Sequence, residues 1–329
     1  MARSKESRRR SWAVAAPALL LCAMTASADV SIERVAYGGW PDCYRISNGE
    51  VELVVTADVG PRIIRYGFAG GQNLFVELEE DLGKTGGDGW RLYGGSRLWV
   101  GPEDPVYSYG ADNDPVEIEI DGNRLVAQAP VEATGVQKRI EVELAPQGSA
   151  TTVRYTLANR TIWPLRVATW VLTMMAEGGV AVTTLPPRGT HPEVLAPTNA
   201  LVVFAFTNMA DPRWTWLEKY IVLRQDPANA DPEKIGLFNP KTRGAYLLNG
   251  ELFVKKFEAQ PGEEYPDMGS SYETFTNERF LELETLGPVR TLKPGESMDH
   301  VEHWSLHRPV EIRSWDDGEL DRVLAPYLE

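Results

Sequence analysis

Carboxylates crowd one stretch near the end of the sequence, between residues 272 and 307. Four of them lie close together near its start, namely Glu273, Glu278, Glu282 and Glu284. Side chains of this type serve as general acids and bases, and they accept hydrogen bonds from sugar hydroxyls. Charged residues are equally common on sheet faces that simply meet water. The stretch therefore predicts either a chemical site or a hydrated face, and Glu273, Glu282 and Glu284 are the candidates for a site.

A second candidate segment, residues 90–114, combines an arginine with aromatic and acidic side chains. Arg97 follows two glycines and a serine, and glycines allow a ligand to approach the backbone closely. Aromatic rings stack on the C–H groups of a sugar, while a guanidinium or a carboxylate binds its hydroxyls. The predicted sugar-binding residues of this segment are Tyr93, Arg97, Trp99, Glu103 and Asp112. The alternative is that the aromatic residues pack in the core or anchor a loop.

The chain has only 4 histidines, and two of them are candidates for proton transfer. His191 lies in a proline-rich loop, which is a fixed and exposed setting. His303 lies on the last predicted strand, where His307 projects to the same face and Glu302 to the other. This alternation does not favour a metal-binding triad.

Other chemistries lack their motifs. The sequence has no G-x-S-x-G nucleophile motif, Cys43 has no neighbouring histidine, and the glycine-rich residues 86–89 lack the lysine of a phosphate-binding loop. There are 2 cysteines, and Cys22 falls in an N-terminal apolar run, so neither a disulfide nor a cysteine-based zinc motif is expected in the mature chain. No cofactor and no metal-binding motif are predicted, and metal binding by Asp and Glu side chains without a motif is left open.

The protein is acidic, with a formal net charge of −14. No basic run follows residue 28, which argues against binding to nucleic acid or to an anionic membrane through bulk charge. The partner that the candidate residues favour is a small sugar or a glycan, and the oligomeric state is left open.

The first 28 residues have the pattern of a signal peptide. Basic residues precede an apolar run from Trp12 to Thr25, and Ala26-Ser27-Ala28 is a cleavage site of the small-x-small type. The apolar run is too short for a comfortable membrane span. We therefore expect residues 1–28 to be removed after export by the Sec or the twin-arginine route, and residues 29–329 to be periplasmic or secreted.

The candidate residues need strands to position them, and the sequence predicts strands almost throughout. Short alternating runs are separated by turn residues, and the carboxylate stretch reads as two strands joined by a link rich in proline and glycine. Asp121-Gly122 and Asn249-Gly250 each lie between two such runs, as hairpin turns do. One helix is expected near the C terminus, capped by Ser314. With no linker visible, we predict one all-β domain over residues 29–329, either a sandwich or a barrel.

Several of these segments, in this order, resemble the galactose mutarotase-like (aldose 1-epimerase-like) superfamily, in an exported bacterial branch. The segments are Gly94-Gly95-Ser96-Arg97-Leu98, Asn159-Arg160-Thr161, Leu283-Glu284-Thr285 and Leu292-Lys293-Pro294-Gly295-Glu296. The resemblance covers most of residues 29–329. It implies a large antiparallel β-sandwich, the mutarotase-like supersandwich, with a sugar-sized cleft on one sheet.

The resemblance also implies roles for single residues. Glu284 matches the position of the epimerase general base, and Arg97 lies near the position of the substrate-holding arginine. The epimerases place a histidine acid soon after the segment that matches Asn159-Arg160-Thr161, and here Ile162 and its successors supply none. His191 or His303 would then have to provide the acid.

Three functions remain open at this stage. The first is an exported sugar-binding protein on a mutarotase-like scaffold, with or without turnover. The second is an active aldose 1-epimerase or a related carbohydrate enzyme with Glu284 as the base. The third is a protein-interaction β-sandwich whose carboxylate face contacts a partner.

Overall fold

Strands make up about 46% of the chain and form two antiparallel sheets that pack face to face. The computed structural model describes Met1 and residues 29–198 and 201–328. The predicted signal peptide, residues 1–28, therefore lies outside the described residues apart from Met1. No helix in the described part of the chain is long and apolar enough to cross a membrane.

The first sheet has 11 strands, and ten of them follow one another across the sheet. From edge to edge they are β1 (Ser31–Tyr37), β2 (Trp40–Ser47), β3 (Val51–Thr56), β4 (Arg62–Phe68), β5 (Ser96–Gly101), β10 (Leu165–Met175), β19 (Leu281–Leu286), β18 (Tyr272–Thr276), β15 (Glu233–Leu237) and β12 (Leu201–Val203). The short strand β20 (Arg290–Leu292) pairs with the start of β10.

The second sheet has 10 strands in a single path. They are β13 (Trp214–Trp216), β14 (Tyr220–Arg224), β11 (Val180–Thr184), β16 (Lys241–Leu248), β17 (Glu251–Glu258), β21 (Ser297–His307), β9 (Thr151–Asn159), β8 (Val136–Leu144), β7 (Arg124–Gln128) and β6 (Glu117–Asp121). A single turn, α1 (Pro266–Gly269), precedes β18, and α2 (Asp317–Leu328) ends the described chain.

The two predicted hairpins are confirmed. Asp121 pairs with Arg124 across the β6–β7 turn. At the β16–β17 turn, Asn249 and Gly250 have φ angles of 51° and 79°, which is the left-handed pair that a two-residue hairpin requires. The predicted C-terminal helix is also present, but its cap is Asp316 rather than Ser314, because Asp316 Oδ1 accepts the backbone N–H of Glu319 at 3.0 Å.

The two strands predicted in the carboxylate stretch do not pair with each other. The first, β19, belongs to the first sheet, and the second, β21, belongs to the second sheet. The proline- and glycine-rich link therefore carries the chain across the sandwich instead of closing a hairpin. Apolar side chains from both sheets share one large core between the layers, to which Leu283 of β19 and Trp304 of β21 belong.

Candidate functional site

Three adjacent strands bring the candidate residues of the two segments together. On β10, Leu172 pairs with Arg97 of β5 on one side and with Glu284 of β19 on the other. Glu284 in turn pairs with Glu273 of β18. Paired residues on neighbouring strands face the same side of a sheet, and two strand spacings separate the Arg97 and Glu284 backbones by about 10 Å.

This row lies on the face of the first sheet that points away from the core. Thr285, the neighbour of Glu284, faces inward, because its hydroxyl contacts His300 Nε2 of the second sheet at 2.8 Å. Glu284 must then face outward, since successive strand residues alternate. We call the group formed by Arg97, Glu273, Glu282, Glu284 and Lys234 the outer-face site.

The three glutamates of the outer-face site are buried. Glu273 and Glu284 are each 0% exposed and Glu282 is 8% exposed. The interpretation of these carboxylates as a hydrated sheet face is therefore wrong. The fourth carboxylate of the stretch, Glu278, is different, because it lies in the turn between β18 and β19 and is only partly buried.

Lys234 of β15 is the cation at the centre of this carboxylate group. Its Nζ donates to Glu284 Oε2 at 3.0 Å and lies 2.8 Å from Glu273 Oε2. Trp170 Nε1 donates to the same Glu284 oxygen at 2.8 Å. Glu284 Oε1 is buried and has no hydrogen-bond partner in the structure, and neither Glu273 oxygen makes a hydrogen bond of normal geometry.

Burial and neighbouring charges shift the pKa values of these groups away from their ordinary values. Burial, reinforced by the charge of Glu284, raises the pKa of Glu282 to about 8. Burial also raises the pKa of Glu273 well above its ordinary value, and Glu284 again adds to the effect. For Lys234, burial alone would lower the pKa, but the charges of Glu284 and Glu273 outweigh it and raise the pKa. At neutral pH Glu282 is thus a buried carboxylic acid near a charged lysine.

Arg97 lies at the other end of the row with two unused N–H groups. It is 2% exposed, and its Nη1 donates to the backbone oxygen of Arg91 at 3.2 Å. Its Nε and Nη2 are buried and have no hydrogen-bond partner. The guanidinium lies over the rings of Trp90 and Trp99, with its central carbon 5.2 and 4.6 Å from their centroids. Burial lowers the pKa of Arg97 to about 9, so it remains charged at neutral pH.

Two glycines let the backbone pass close to the backbone of Val76 and Ile63, and this places Arg97 at the start of β5. Gly94 and Gly95 have φ angles of 105° and 74°. A Cβ on Gly94 would lie 2.1 Å from the Val76 carbonyl oxygen, and one on Gly95 would lie 2.3 Å from that of Ile63. Only glycine fits both the backbone angles and the space.

The aromatic residues of the second segment form a cluster beside Arg97. Trp99, predicted to stack on a sugar, is only 7% exposed because Trp90, Tyr109 and Trp170 pack against it with centroid distances of 5.1–5.7 Å. Tyr109 is the ring that meets solvent, at 37% exposed. Its hydroxyl donates to Glu103, so the predicted ligand Glu103 lies at the rim of the cluster.

Two other predicted binding residues have partners within the protein. Tyr93 is 0% exposed, and its hydroxyl donates to Asn113 Oδ1 at 2.7 Å. It anchors the loop that covers β2 to β4 and cannot contact a ligand as placed. Asp112 forms an ion pair with Arg62 at 2.6 Å, although its Oδ1 is buried without a partner.

The structure does not bring the two predicted histidine acids to Glu284. Glu302 faces the core, since its Oε1 lies 2.9 Å from the buried Lys255 Nζ, so its neighbour His303 faces the outer surface of the second sheet. His303 and Glu284 are therefore on opposite sides of the sandwich. His191 is exposed in the β11–β12 connection, and within the described residues no hydrogen bond or ion pair links it to the outer-face site.

Sequence reasoning missed Lys234 and Trp170, which hold Glu284 in place. The sequence around each residue does not indicate a role in a site. A single lysine at the start of a strand is common on protein surfaces, and Trp170 lies within an apolar run that reads as core. Their role depends on the pairing of β10, β19, β18 and β15, and no short sequence motif predicts that pairing.

The outer-face site contains charged groups of both signs and no arrangement suited to a metal. Over residues 29–198 and 201–328, no group of three or more His, Cys, Asp or Glu side chains is placed to hold a metal ion. The site can donate hydrogen bonds through Arg97, accept them through Glu284, and hold a proton on Glu282.

Comparison with known proteins identifies the fold. No protein-family model matches the chain, and no curated protein matches it by sequence. Among solved structures, the Slr1438 protein of Synechocystis sp. PCC 6803 is 11% identical with a TM-score of 0.55, covering 83% of this chain and 99% of its own. A Klebsiella pneumoniae protein provisionally assigned as an aldose 1-epimerase is 13% identical with a TM-score of 0.54, covering 84% and 83%.

A galactose mutarotase-like protein from Lactobacillus casei is 11% identical with a TM-score of 0.52, covering 80% of this chain and all of its own. This chain's two large antiparallel sheets match the mutarotase-like β-sandwich. The predicted fold class is therefore confirmed.

Proposed function

We propose that this chain, which has the galactose mutarotase-like fold, binds a small sugar at the outer-face site. The observation that carries the proposal is a set of buried polar atoms without protein partners on one sheet face: Arg97 Nε and Nη2 and Glu284 Oε1. An unpaired buried donor or acceptor costs about 1–3 kcal/mol. Sugar hydroxyls, which both donate and accept, would satisfy such a mixture.

Nearby aromatic rings support a sugar in particular. The cluster of Trp90, Trp99 and Tyr109 adjoins Arg97, and aromatic faces suit the C–H groups of a pyranose ring. Because Trp99 is covered, Tyr109 is the ring that an arriving sugar would meet first. In this proposal a movement of Tyr109 opens the way to Trp99 and Arg97.

The proposal is tested by calorimetric titration of the protein with a panel of aldoses. We expect Glu284→Gln and Arg97→Lys each to weaken the binding of the preferred sugar roughly 10- to 150-fold, which corresponds to losing a charge-assisted hydrogen bond of about 1.5–3 kcal/mol. Glu278→Gln is the matched control, since Glu278 lies in the same segment but outside the site. Binding of no sugar, or equal binding by Glu284→Gln, would contradict the proposal.

A second candidate, an aldose 1-epimerase, is favoured by one further observation. Glu282 keeps its proton at neutral pH, so it can supply the acid that no histidine provides. Glu284 would take the proton of the anomeric hydroxyl while Glu282 gives a proton to the ring oxygen. The bond between the anomeric carbon and the ring oxygen then breaks, and the reverse steps close the ring on either face.

The third function considered from the sequence, an interaction sandwich that uses its carboxylate face, has no support in the geometry. Glu273 and Glu284 are fully buried, so they do not form the exposed carboxylate face that this function requires. Export through the predicted signal peptide and a periplasmic or secreted location remain predictions from the sequence.

A further inference from the structure

We propose that a cavity beside Tyr109 is a second saccharide subsite, so that the ligand is a glycan of at least two sugar units. This inference rests on the proposed sugar-binding function and deepens it. The cavity has a volume of about 420 Å³, within the range of roughly 300–1,000 Å³ usual for small-molecule sites.

The cavity has a mixed lining that suits a sugar ring. Its apolar rim includes Val106 and Val131, which are 62% and 50% exposed. Its polar lining is acidic, with Asp112 and Glu132 among the wall residues. Glu132 is held by Lys138 at 2.8 Å. Acceptor oxygens between apolar surfaces favour a neutral polyol and disfavour an anion.

Asp112, one of the wall residues, carries an acceptor oxygen that no other described residue uses. Its side chain is 10% exposed, and Oδ1 is buried with no hydrogen-bond partner. The other oxygen, Oδ2, accepts from Arg62 Nη2 at 2.6 Å. Arg62 is in turn fixed by the backbone oxygens of Leu92 and Gly94 at 2.7 and 2.8 Å. A rigid carboxylate with one unpaired oxygen is suited to receive a ligand hydroxyl.

Tyr109 connects this cavity to the outer-face site. Its ring packs on Trp99 and Trp90 at centroid distances of 5.1 and 5.3 Å, and it also lines the cavity. One residue therefore borders both sites. A linear saccharide that passes Tyr109 would place one ring near Arg97 and the next against Asp112.

The test compares Val131→Trp, which narrows the cavity, with Ile120→Trp as a control. Ile120 lies on β6, is not part of the cavity wall, and is 49% exposed, almost the same as Val131. Calorimetry would measure the affinities for glucose and galactose and for their β-1,4- and α-1,4-linked oligomers of two to four units, with thermal melting as a check that each variant folds.

We expect an oligosaccharide to bind the unchanged protein at least tenfold more tightly than its monosaccharide. Val131→Trp should abolish that gain and leave monosaccharide affinity unchanged, and Ile120→Trp should keep both. Equal affinities for monosaccharide and oligosaccharides, or a gain that survives in Val131→Trp, would overturn the second subsite while leaving the proposed function intact. Failure of every saccharide to bind would overturn the proposed function, and this inference with it.

Discussion

Glu282 and Glu284 are two residues apart on one strand, yet their surroundings give them different roles. Glu284 accepts hydrogen bonds from Lys234 and Trp170. Glu282 lacks such donors in the structure, and burial beside a charged neighbour raises its pKa to about 8. A pair of carboxylates whose environments differ in this way is suited to divide the acid and base roles between them.

The epimerase candidate makes a prediction about pH. Because the acid form of Glu282 is the active form, the acceleration of mutarotation seen at neutral pH should fall as the pH rises through about 8. At neutral pH, where Glu282 holds its proton, Glu282→Gln should reduce the acceleration by about 10²–10⁴-fold, and the difference from the unchanged protein should shrink above pH 8. Polarimetry on freshly dissolved α-glucose or α-galactose measures the rate of mutarotation relative to buffer.

Glu278→Gln, outside the site, should behave as the unchanged protein does. Acceleration that rises above pH 8, or that survives in Glu282→Gln, would exclude Glu282 as the acid. An unchanged protein that accelerates no sugar would exclude the epimerase candidate and leave the sugar-binding proposal standing.

At the scale of elements, β19 connects the outer-face site to a buried polar network between the sheets. Its outward residues are the site glutamates, and its inward Thr285 hydroxyl donates to Glu302 of β21. Lys255 of β17 completes the network, with Nζ 2.9 Å from Glu302 Oε1 and donating to Thr173 Oγ1 at 2.9 Å. Although burial opposes its charge, Glu302 keeps a pKa of about 2 because Lys255 is adjacent.

This network predicts a large effect for one substitution. Lys255→Met leaves Glu302 buried without its cation, and removing one partner of a buried ion pair typically costs about 3–5 kcal/mol. Urea unfolding at neutral pH should show that loss. The double variant Lys255→Met/Glu302→Gln should recover part of it, and Lys241→Met, on an exposed lysine, should change little. A Lys255→Met protein as stable as the unchanged one would show that the pair does not stabilise the sandwich.

At the scale of the whole molecule, both sheets contribute to one continuous hydrophobic core. The sheets therefore should not unfold separately, and we expect the predicted single domain, residues 29–329, to unfold in one cooperative transition. Differential scanning calorimetry of the chain beginning at Asp29 measures this. Two resolved transitions, or a calorimetric enthalpy well above the van't Hoff value, would show that the chain contains independent units.

The sequence by itself determined the class of fold and the main candidates. Alternating runs with Asp-Gly and Asn-Gly turns predicted strands and hairpins, because side-chain alternation and left-handed turn residues are local properties of the chain. The presence of Arg97 beside two glycines and of Glu284 among other carboxylates was equally local. These features led to residues that share one face of one sheet.

Only the tertiary structure decided which groups meet and which are buried. Lys234 reaches Glu284 across a sequence separation of 50 residues, and His303 is separated from Glu284 by the thickness of the sandwich although the two are close in sequence. Burial, the raised pKa of Glu282 and the placement of Tyr93 in a loop anchor follow from strand order and sheet packing. Those are long-range properties, and a short segment of sequence cannot encode them because its contacts come from distant parts of the chain.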